Sequence, residues 1–285
     1  MNIKKILSLT EDYFKKHNIE SPRLDAEVLL ADLLDMERVK LYVNFDYPLS
    51  EEELNEYRER IRKRAENLPV SYITGNTEFM SLDFIINEDV LVPRPETEIL
   101  VEYIIDYCKE KELGEPNIVD VGTGSGVIMV SLGHYIEGAK VVGIDISSAA
   151  LKVAENNIDK YELDERLKVL QGDLLTPFVK RGKNNIDIVV SNPPYICSDK
   201  FDSLPSDVRR EPLIALDGGK GGLKFYRKLI PQVEKVLKPG GLLVLEIGCE
   251  QATDVKNMLG EDWAQVEIEQ DYSEHNRMIC AVING

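Results

Sequence analysis

Ile118-Val119-Asp120-Val121-Gly122-Thr123-Gly124-Ser125-Gly126, residues 118–126, is a short apolar run that empties into a glycine-rich turn. The run reads as a buried strand and the residues after the turn as a helix. Glycines let a ligand approach backbone, and a helix N-terminus favours polar or anionic groups. A dinucleotide site wants G-x-G-x-x-G. Here Gly122, Gly124 and Gly126 give G-x-G-x-G, and Val127 stands where a third dinucleotide glycine belongs. Downstream the rhythm repeats. Lys140–Ile146, Lys168–Gln171, Ile186–Ser191 and Leu242–Ile247 are strand-like, and Ser148–Lys160 and Leu223–Leu237 are helix-like runs between them. Strands alternating with helices predict a doubly wound, mostly parallel α/β sheet. The last two strand-like runs, Ala264–Glu269 and Arg277–Ile283, have no helix between them and predict an antiparallel hairpin at one sheet edge.

Upstream the pattern is different. In residues 1–74, Ile3, Ile6, Leu7 and Phe14 fit a helical stripe. Ser21-Pro22 reads as an N-cap and first turn leading into Leu24, Val28, Ala31 and Leu34. Ser50-Glu51-Glu52-Glu53 is a capping box, followed by Leu54, Tyr57, Ile61, Ala65 and Leu68. The basic cluster Arg58, Arg60, Arg62, Lys63 and Arg64 lies on that helix and reads as a solvated face paired with Glu56 and Glu59. This predicts a small helical bundle over 1–74, used for recognition. Residues 75–92 read as a β-hairpin hinge built on Phe79, Leu82, Phe84 and Ile86, with Val90-Leu91-Val92 after Asn87-Glu88-Asp89. Pro93-Arg94-Pro95-Glu96-Thr97-Glu98 then opens a helix to about Lys111, and 93–285 forms the remaining domain.

The 285 residues carry a net charge of −17, of which residues 1–74 hold −3 and the rest −14. A field of that sign repels a bare phosphate backbone and argues against nucleic acid as the direct substrate. Cys108, Cys197, Cys249 and Cys280 are far apart, as are His17, His134 and His275, so no metal-ligand spacing exists. Buried, reduced thiols in a cytoplasmic protein are expected. Glu11 and Asp12 cut the apolar start too short for a signal peptide, and no run is long enough for a membrane span.

The chemistry concentrates at the ends of the strands. Gly143-Ile144-Asp145 closes the second strand, where an acidic residue can accept both hydroxyls of a ribose. Gly172-Asp173-Leu174 closes the third and can flank an adenine. The fourth ends in Asn192-Pro193-Pro194-Tyr195. Proline supplies a carbonyl acceptor without a donor and has a fixed φ, so this turn is stiff and rich in acceptors. The Asn192 side-chain carbonyl and the Pro193 backbone carbonyl can hold the two N–H bonds of a planar NH2 group, and Tyr195 offers a ring face for stacking. Such a turn prepares a weak nitrogen nucleophile for alkylation. S-adenosylmethionine fits both halves of the pattern, whereas a nicotinamide ligand leaves Asn192–Tyr195 unexplained.

With these motifs the chain resembles the class I S-adenosylmethionine-dependent methyltransferases, and more closely the bacterial glutamine methyltransferases that modify peptide-chain release factors. The resemblance runs over essentially the whole length, through Glu211-Pro212, Gly221-Gly222-Leu223, Leu245-Glu246-Ile247-Gly248 and Asp271–Arg277. It implies a seven-stranded, Rossmann-like sheet, and methyl transfer to the glutamine of the release factors' Gly-Gly-Gln loop. It implies a cofactor site at Gly122, Thr123, Gly124, Ser125, Gly126, Asp145, Asp173, Leu174 and Asn192, a substrate site at Asn192, Pro193, Pro194 and Tyr195, and a helical domain that docks the factor. Leu174 departs from the family, where an aromatic often stands beside the adenine. The Asn-Pro-Pro-Tyr turn is shared with enzymes that methylate exocyclic amines of DNA or RNA, which is the alternative acceptor. The long stretch Cys197–Gly222 is a candidate substrate lid, with Arg209, Arg210 and Glu211 as partner contacts. Asp187 reads as a sheet residue without a catalytic role.

Overall fold

The computed structural model describes residues 1–182 and 185–285 and divides them into two compact units. Unit 1 is Met1–Asn76 together with Pro205–Arg210; unit 2 is Thr77–Leu204 with Glu211–Gly285.

Unit 1 holds helices α1 (Ile3–Lys16), α2 (Pro22–Leu33), α3 (Arg38–Val43), α4 (Glu51–Ala65) and α5 (Val70–Thr74). Ser50 caps α4 with the reciprocal pair read from the sequence: Glu53 N–H donates to Ser50 Oγ at 3.2 Å and Ser50 N–H to Glu53 Oε2 at 2.6 Å. The stripe on α1 is buried as its spacing predicts. The stripe on α2 is buried only at Ala31: Leu24 is 44% exposed, and Ala26, Leu29 and Leu30 face the core as well. The rotation brings Asp25 and Glu27 inward, and the unit supplies cations for both. Arg23 pairs with Glu27 at 2.5 Å, and Arg64 Nε with Asp25 Oδ2 at 2.7 Å. Arg64 therefore leaves the solvated face expected of its cluster. It is 6% exposed and also reaches Asp207 at 3.4 Å. Arg58, Arg60 and Arg62 do bond acidic or amide partners near the surface.

In unit 2, β1 (Asn76–Phe79) and β2 (Leu82–Ile85) form the expected hairpin, but Val90–Val92 are not a strand. The hairpin is fastened by Asn157, whose amide donates to the Ile85 and Ser125 carbonyls at 2.9 Å and accepts from Ile85 N–H at 2.8 Å. A 3-10 turn, Pro95–Thr97, leads into α6 (Glu98–Glu110). Then follow β3 (Asn117–Val121), α7 (Val127–Tyr135), β4 (Lys140–Asp145), α8 (Ser148–Lys160), β5 (Leu167–Gln171), α9 (Thr176–Arg181) and β6 (Ile186–Ser191). Beyond lie α10 (Leu213–Leu216), α11 (Lys224–Val233), β7 (Leu237–Glu246), α12 (Ala252–Lys256), β8 (Trp263–Gln270) and β9 (Asn276–Ile283).

The seven-stranded sheet has the order β5-β4-β3-β6-β7-β9-β8. The first five are mutually parallel. β9 runs antiparallel between β7 and β8, so the C-terminal hairpin closes the edge. Alternate residues face opposite layers: Ile188, Val190, Leu242 and Val244 join one core, and Val189, Leu243 and Leu245 the other. A sheet covered on both faces explains why its central strands read as unbroken apolar runs. Asp187, at the start of β6, accepts from Asn117 N–H at 2.8 Å and pairs with Lys238, a sheet role at the end of the strand away from the turn. Among the described residues no helix is long and apolar enough to cross a membrane. Cys108 and Cys280 are buried, while Cys249 is exposed and Cys197 half-buried, so only two of the thiols are in the core.

Candidate active site

Strand order reverses about β3: β4 and β5 lie to one side, β6 and β7 to the other. Crevices at the carboxyl ends of strands beside such a switch point are where open α/β sheets bind ligands. A cavity of about 290 Å³ opens there. Gly122 and Gly124 line it from the turn after β3, Asp145 from the end of β4, Asp173 and Leu174 from beyond β5, and Asn192, Pro193 and Pro194 from beyond β6. Residues from four separate strand ends thus meet on one space.

Four of the residues expected at the site stand behind its wall. Thr123 is buried, and its hydroxyl donates to Asp120 Oδ2 at 2.6 Å. Ser125 is buried and its carbonyl serves Asn157. Gly126, at φ +82°, starts α7, and a Cβ there would sit 3.1 Å from the Ala154 Cβ. These residues shape the turn from within. Tyr195 also lies outside the lining; its ring packs on a core cluster and its hydroxyl donates to Glu246 Oε1 at 3.2 Å.

The Asp145 carboxylate is already a structural hub. Oδ2 accepts Gly124 N–H at 3.0 Å and Oδ1 accepts Ser147 N–H at 2.9 Å. Each oxygen keeps a lone pair, so the group can still accept hydroxyls from the cavity. Asn192 is held from the other side. Its Nδ2 donates to Thr97 Oγ1 at 3.1 Å, and the Thr97 hydroxyl donates to Glu246 Oε2 at 2.6 Å. Burial pushes the Glu246 carboxyl up to about 7, against the pull of the Thr97 hydrogen bond, Arg277 and Tyr195. Burial likewise raises Asp120 to about 7.

The turn after β6 is braced from below. Ser191 Oγ donates to the Val121 carbonyl at 2.6 Å, tying the ends of β6 and β3. Gln251 Nε2 donates to the Tyr195 carbonyl at 3.0 Å. Gly222, at φ +71°, packs so closely that a Cβ would lie 2.1 Å from that same carbonyl oxygen.

Several lining residues carry no sequence signal that marks them. Asp89, Val90 and Leu91 come from the stretch read as part of the hairpin hinge. Lys224, Phe225 and Lys228 come from the first turns of α11, where the i, i+4 spacing of two lysines was the available hint. Ile214 and Ala215 come from α10, inside the expected lid. That stretch is built of short turns and α10 and is not a bare loop. Glu211 is not offered outward to a partner: it is buried, pairs with Arg94 and accepts Val92 N–H at 3.1 Å. Arg210 is spent on the Glu66 carbonyl within unit 1.

Sequence comparison adds the family. The PrmC N-terminal domain family matches residues 5–75, and a methyltransferase domain family matches residues 114–279. The release factor glutamine methyltransferase of Clostridium acetobutylicum is 40% identical, covering 100% of both chains. The chain belongs to the release factor glutamine methyltransferase family. The release factor glutamine methyltransferase of Bacillus subtilis is likewise 40% identical over 264 residues, 91% of each chain. A solved methyltransferase from Pyrococcus furiosus, 19% identical over 72% of this chain and 90% of its own, superposes with a TM-score of 0.51 and shares the fold. In this chain Asn192, Pro193 and Pro194 line the same cavity as Asp145, and the two groups arrive from opposite sides of β3.

Proposed function

We propose that the chain transfers a methyl group from S-adenosylmethionine to the side-chain nitrogen of the glutamine in the release factors' Gly-Gly-Gln loop. The observation that carries this is the meeting of Asp145 and the Asn192-Pro193-Pro194 turn on one cavity. The residues present fit S-adenosylmethionine. Asp145 retains acceptor capacity for a ribose, Gly122 and Gly124 expose backbone, and Ile146, Leu174 and Ala150 give apolar walls for a base. The cofactor supplies an electrophilic methyl on a sulfonium.

The chain's own part is orientation and charge. A glutamine nitrogen is a poor nucleophile because its lone pair is delocalised into its carbonyl. Asn192 Oδ1 and the Pro193 carbonyl accept its two N–H bonds and aim it across the cavity. Both acceptors also stabilise the positive charge that grows on nitrogen, the counterpart of donors around an oxyanion. Much of the acceleration comes from this positioning. The proton then leaves to water from a nitrogen made strongly acidic. Unit 1, with no lining residue in the cavity, serves to recognise the factor. Work is done in the cytoplasm, where release factors are.

The test is incubation with labelled S-adenosylmethionine and a release factor, with the methyl mapped by mass spectrometry. The label is expected on the Gly-Gly-Gln glutamine. Label on an exocyclic base amine of added DNA or RNA, and none on the factor, overturns the assignment.

A further inference from the structure

A carboxamide helps a substrate NH2 in only one of its two orientations. With Oδ1 toward the cavity Asn192 accepts an N–H; turned over, it would set its own N–H bonds against those of the substrate. The choice is made by the group behind it. A threonine hydroxyl has one hydrogen, and that of Thr97 is committed to Glu246 Oε2 at 2.6 Å. Only lone pairs remain on Thr97 Oγ1 for Asn192, so the Asn192 side that meets it must be the NH2, at 3.1 Å. The chain of bonds thus has a direction, from Asn192 through Thr97 to an ionised Glu246. Thr97 is 3% and Glu246 1% exposed, so water is not at hand to satisfy the reverse arrangement.

Resting on the methyl-transfer reading above, we infer that Thr97 and Glu246 are positioning residues that hold the Asn192 carbonyl toward the acceptor nitrogen, with Glu246 active in its ionised form. Keeping a carboxylate buried at the end of β7 opposes stability. Among the described residues Glu246 has no ion-pair partner within contact distance; Arg277, the cation that acts on it, spends its Nε on Asp271 at 3.0 Å. The other groups facing it are Tyr195, Tyr226 and Glu96, besides Thr97. A neutral apolar residue would pack there at lower cost, and would leave the Thr97 hydroxyl free to donate to Asn192 instead. Protonating Glu246 has the same effect. The carboxyl becomes a donor, Thr97 turns its hydrogen to Asn192 Oδ1, and the carboxamide flips its NH2 into the cavity.

The test uses the full chain and four measurements: kcat and KM on a release factor, affinity for S-adenosylhomocysteine, the pH dependence of kcat, and the Asn192 side-chain NH2 resonances in 15N-labelled protein. Thr97→Val keeps the shape and removes the hydroxyl. It is expected to lower kcat by about tenfold or more, with KM and S-adenosylhomocysteine affinity within about twofold of wild type. Thr97→Ser, which keeps the hydroxyl, should hold kcat within about threefold. Wild-type kcat should fall as pH is lowered through about 7, and Glu246→Gln should flatten that limb. The Asn192 resonances should titrate over the same range in wild type and not in Glu246→Gln, with or without any acceptor present.

Wild-type kcat in Thr97→Val, or equal loss in Thr97→Val and Thr97→Ser, overturns the inference. Should Thr97→Val not fold, the wild-type protein decides: a flat kcat between about pH 6 and 8 and Asn192 resonances that do not move would overturn it. Failure of the methyl-transfer reading looks different, since the label would then be missing from glutamine while Asn192 still titrates with Glu246.

Discussion

Asn192 lines the cavity with the nitrogen of its carboxamide bonded to Thr97, and in the proposed mechanism its oxygen holds the acceptor. Its proposed role is largely separable from cofactor binding, because the main cofactor anchors expected, Asp145 and the turn after β3, come from other strands. Asn192→Ala should therefore leave S-adenosylhomocysteine affinity nearly intact while the turnover rate falls about 10²–10³-fold, by analogy with loss of one oxyanion-hole donor. Methylation at the wild-type rate by this variant would remove the nitrogen clamp from the mechanism. Asp145 gives the complementary phenotype. Its two oxygens hold the Gly124 and Ser147 amides before any ribose arrives, so Asp145→Ala loses ligand bonds and loosens the turn together. Charge-assisted hydrogen bonds contribute about 1.5–3 kcal/mol each, so calorimetry should show affinity weakened by roughly tenfold or more. Affinity unchanged in a folded variant would take Asp145 out of the site. Both residues were legible in the sequence because each stands in a short, contiguous signal at a strand end. Thr97 and Glu246 were not: Thr97 lies 95 residues from Asn192 and 149 from Glu246, and no local pattern distinguishes a positioning threonine from any other in a helix-opening turn. The contacts of Tyr195 were illegible for the same reason. The ring's type suggests stacking, and its hydroxyl bonds Glu246, on a strand that sequence proximity does not reveal.

At the scale of elements, periodicity served well where burial was complete and poorly where charge overrode it. All six residues of β6 are buried, and an apolar run with a turn behind it has no other good reading. On α2 the apolar residues alone put Leu24 inside, whereas the helix turns Asp25 and Glu27 inward because Arg64 and Arg23 meet them. Arg64 was legible as one member of a basic cluster and illegible as a buried one, since its partners lie 39 and 143 residues away. Its removal should be costly. Burial already raises the Asp25 carboxyl despite the guanidinium beside it. Without Arg64 that carboxylate has no ion-pair partner among the described residues, and Arg64→Ala should destabilise unit 1 by about 3 kcal/mol or more. A denaturant titration of the variant measures it, with Arg62→Ala as a surface control expected to leave the unfolding midpoint nearly unchanged. Equal effects at the two positions would mean that Arg64 is not the anchor its burial indicates.

For the whole molecule, the acidic balance and the buried carboxyls act in the same direction. Asp120 and Glu246 both have folded-state pKa values raised to about 7 by burial. The folded chain therefore holds these protons more tightly than the unfolded chain does. Their contribution to stability is full below the ordinary carboxylate range near pH 4 and is lost as pH rises through about 7. The net charge of −17 adds repulsion that grows over the same interval. The melting temperature of the ligand-free chain should thus fall by several degrees, on the order of 3–10 °C, between about pH 6 and 8. Two variants apportion the fall. Glu246→Gln and Asp120→Asn each remove one titrating group, and together they should leave only the shallow slope due to general charge. An undiminished slope in the double variant would show that neither carboxyl takes up its proton near neutrality. The methyl transfer proposed here needs Glu246 in the form that folding disfavours, so the pH range of highest stability lies below the pH range of highest turnover. Ligand binding offsets the conflict by favouring the native state. S-adenosylhomocysteine should accordingly raise the melting temperature at pH 8, where the two buried carboxylates have weakened the unliganded fold most.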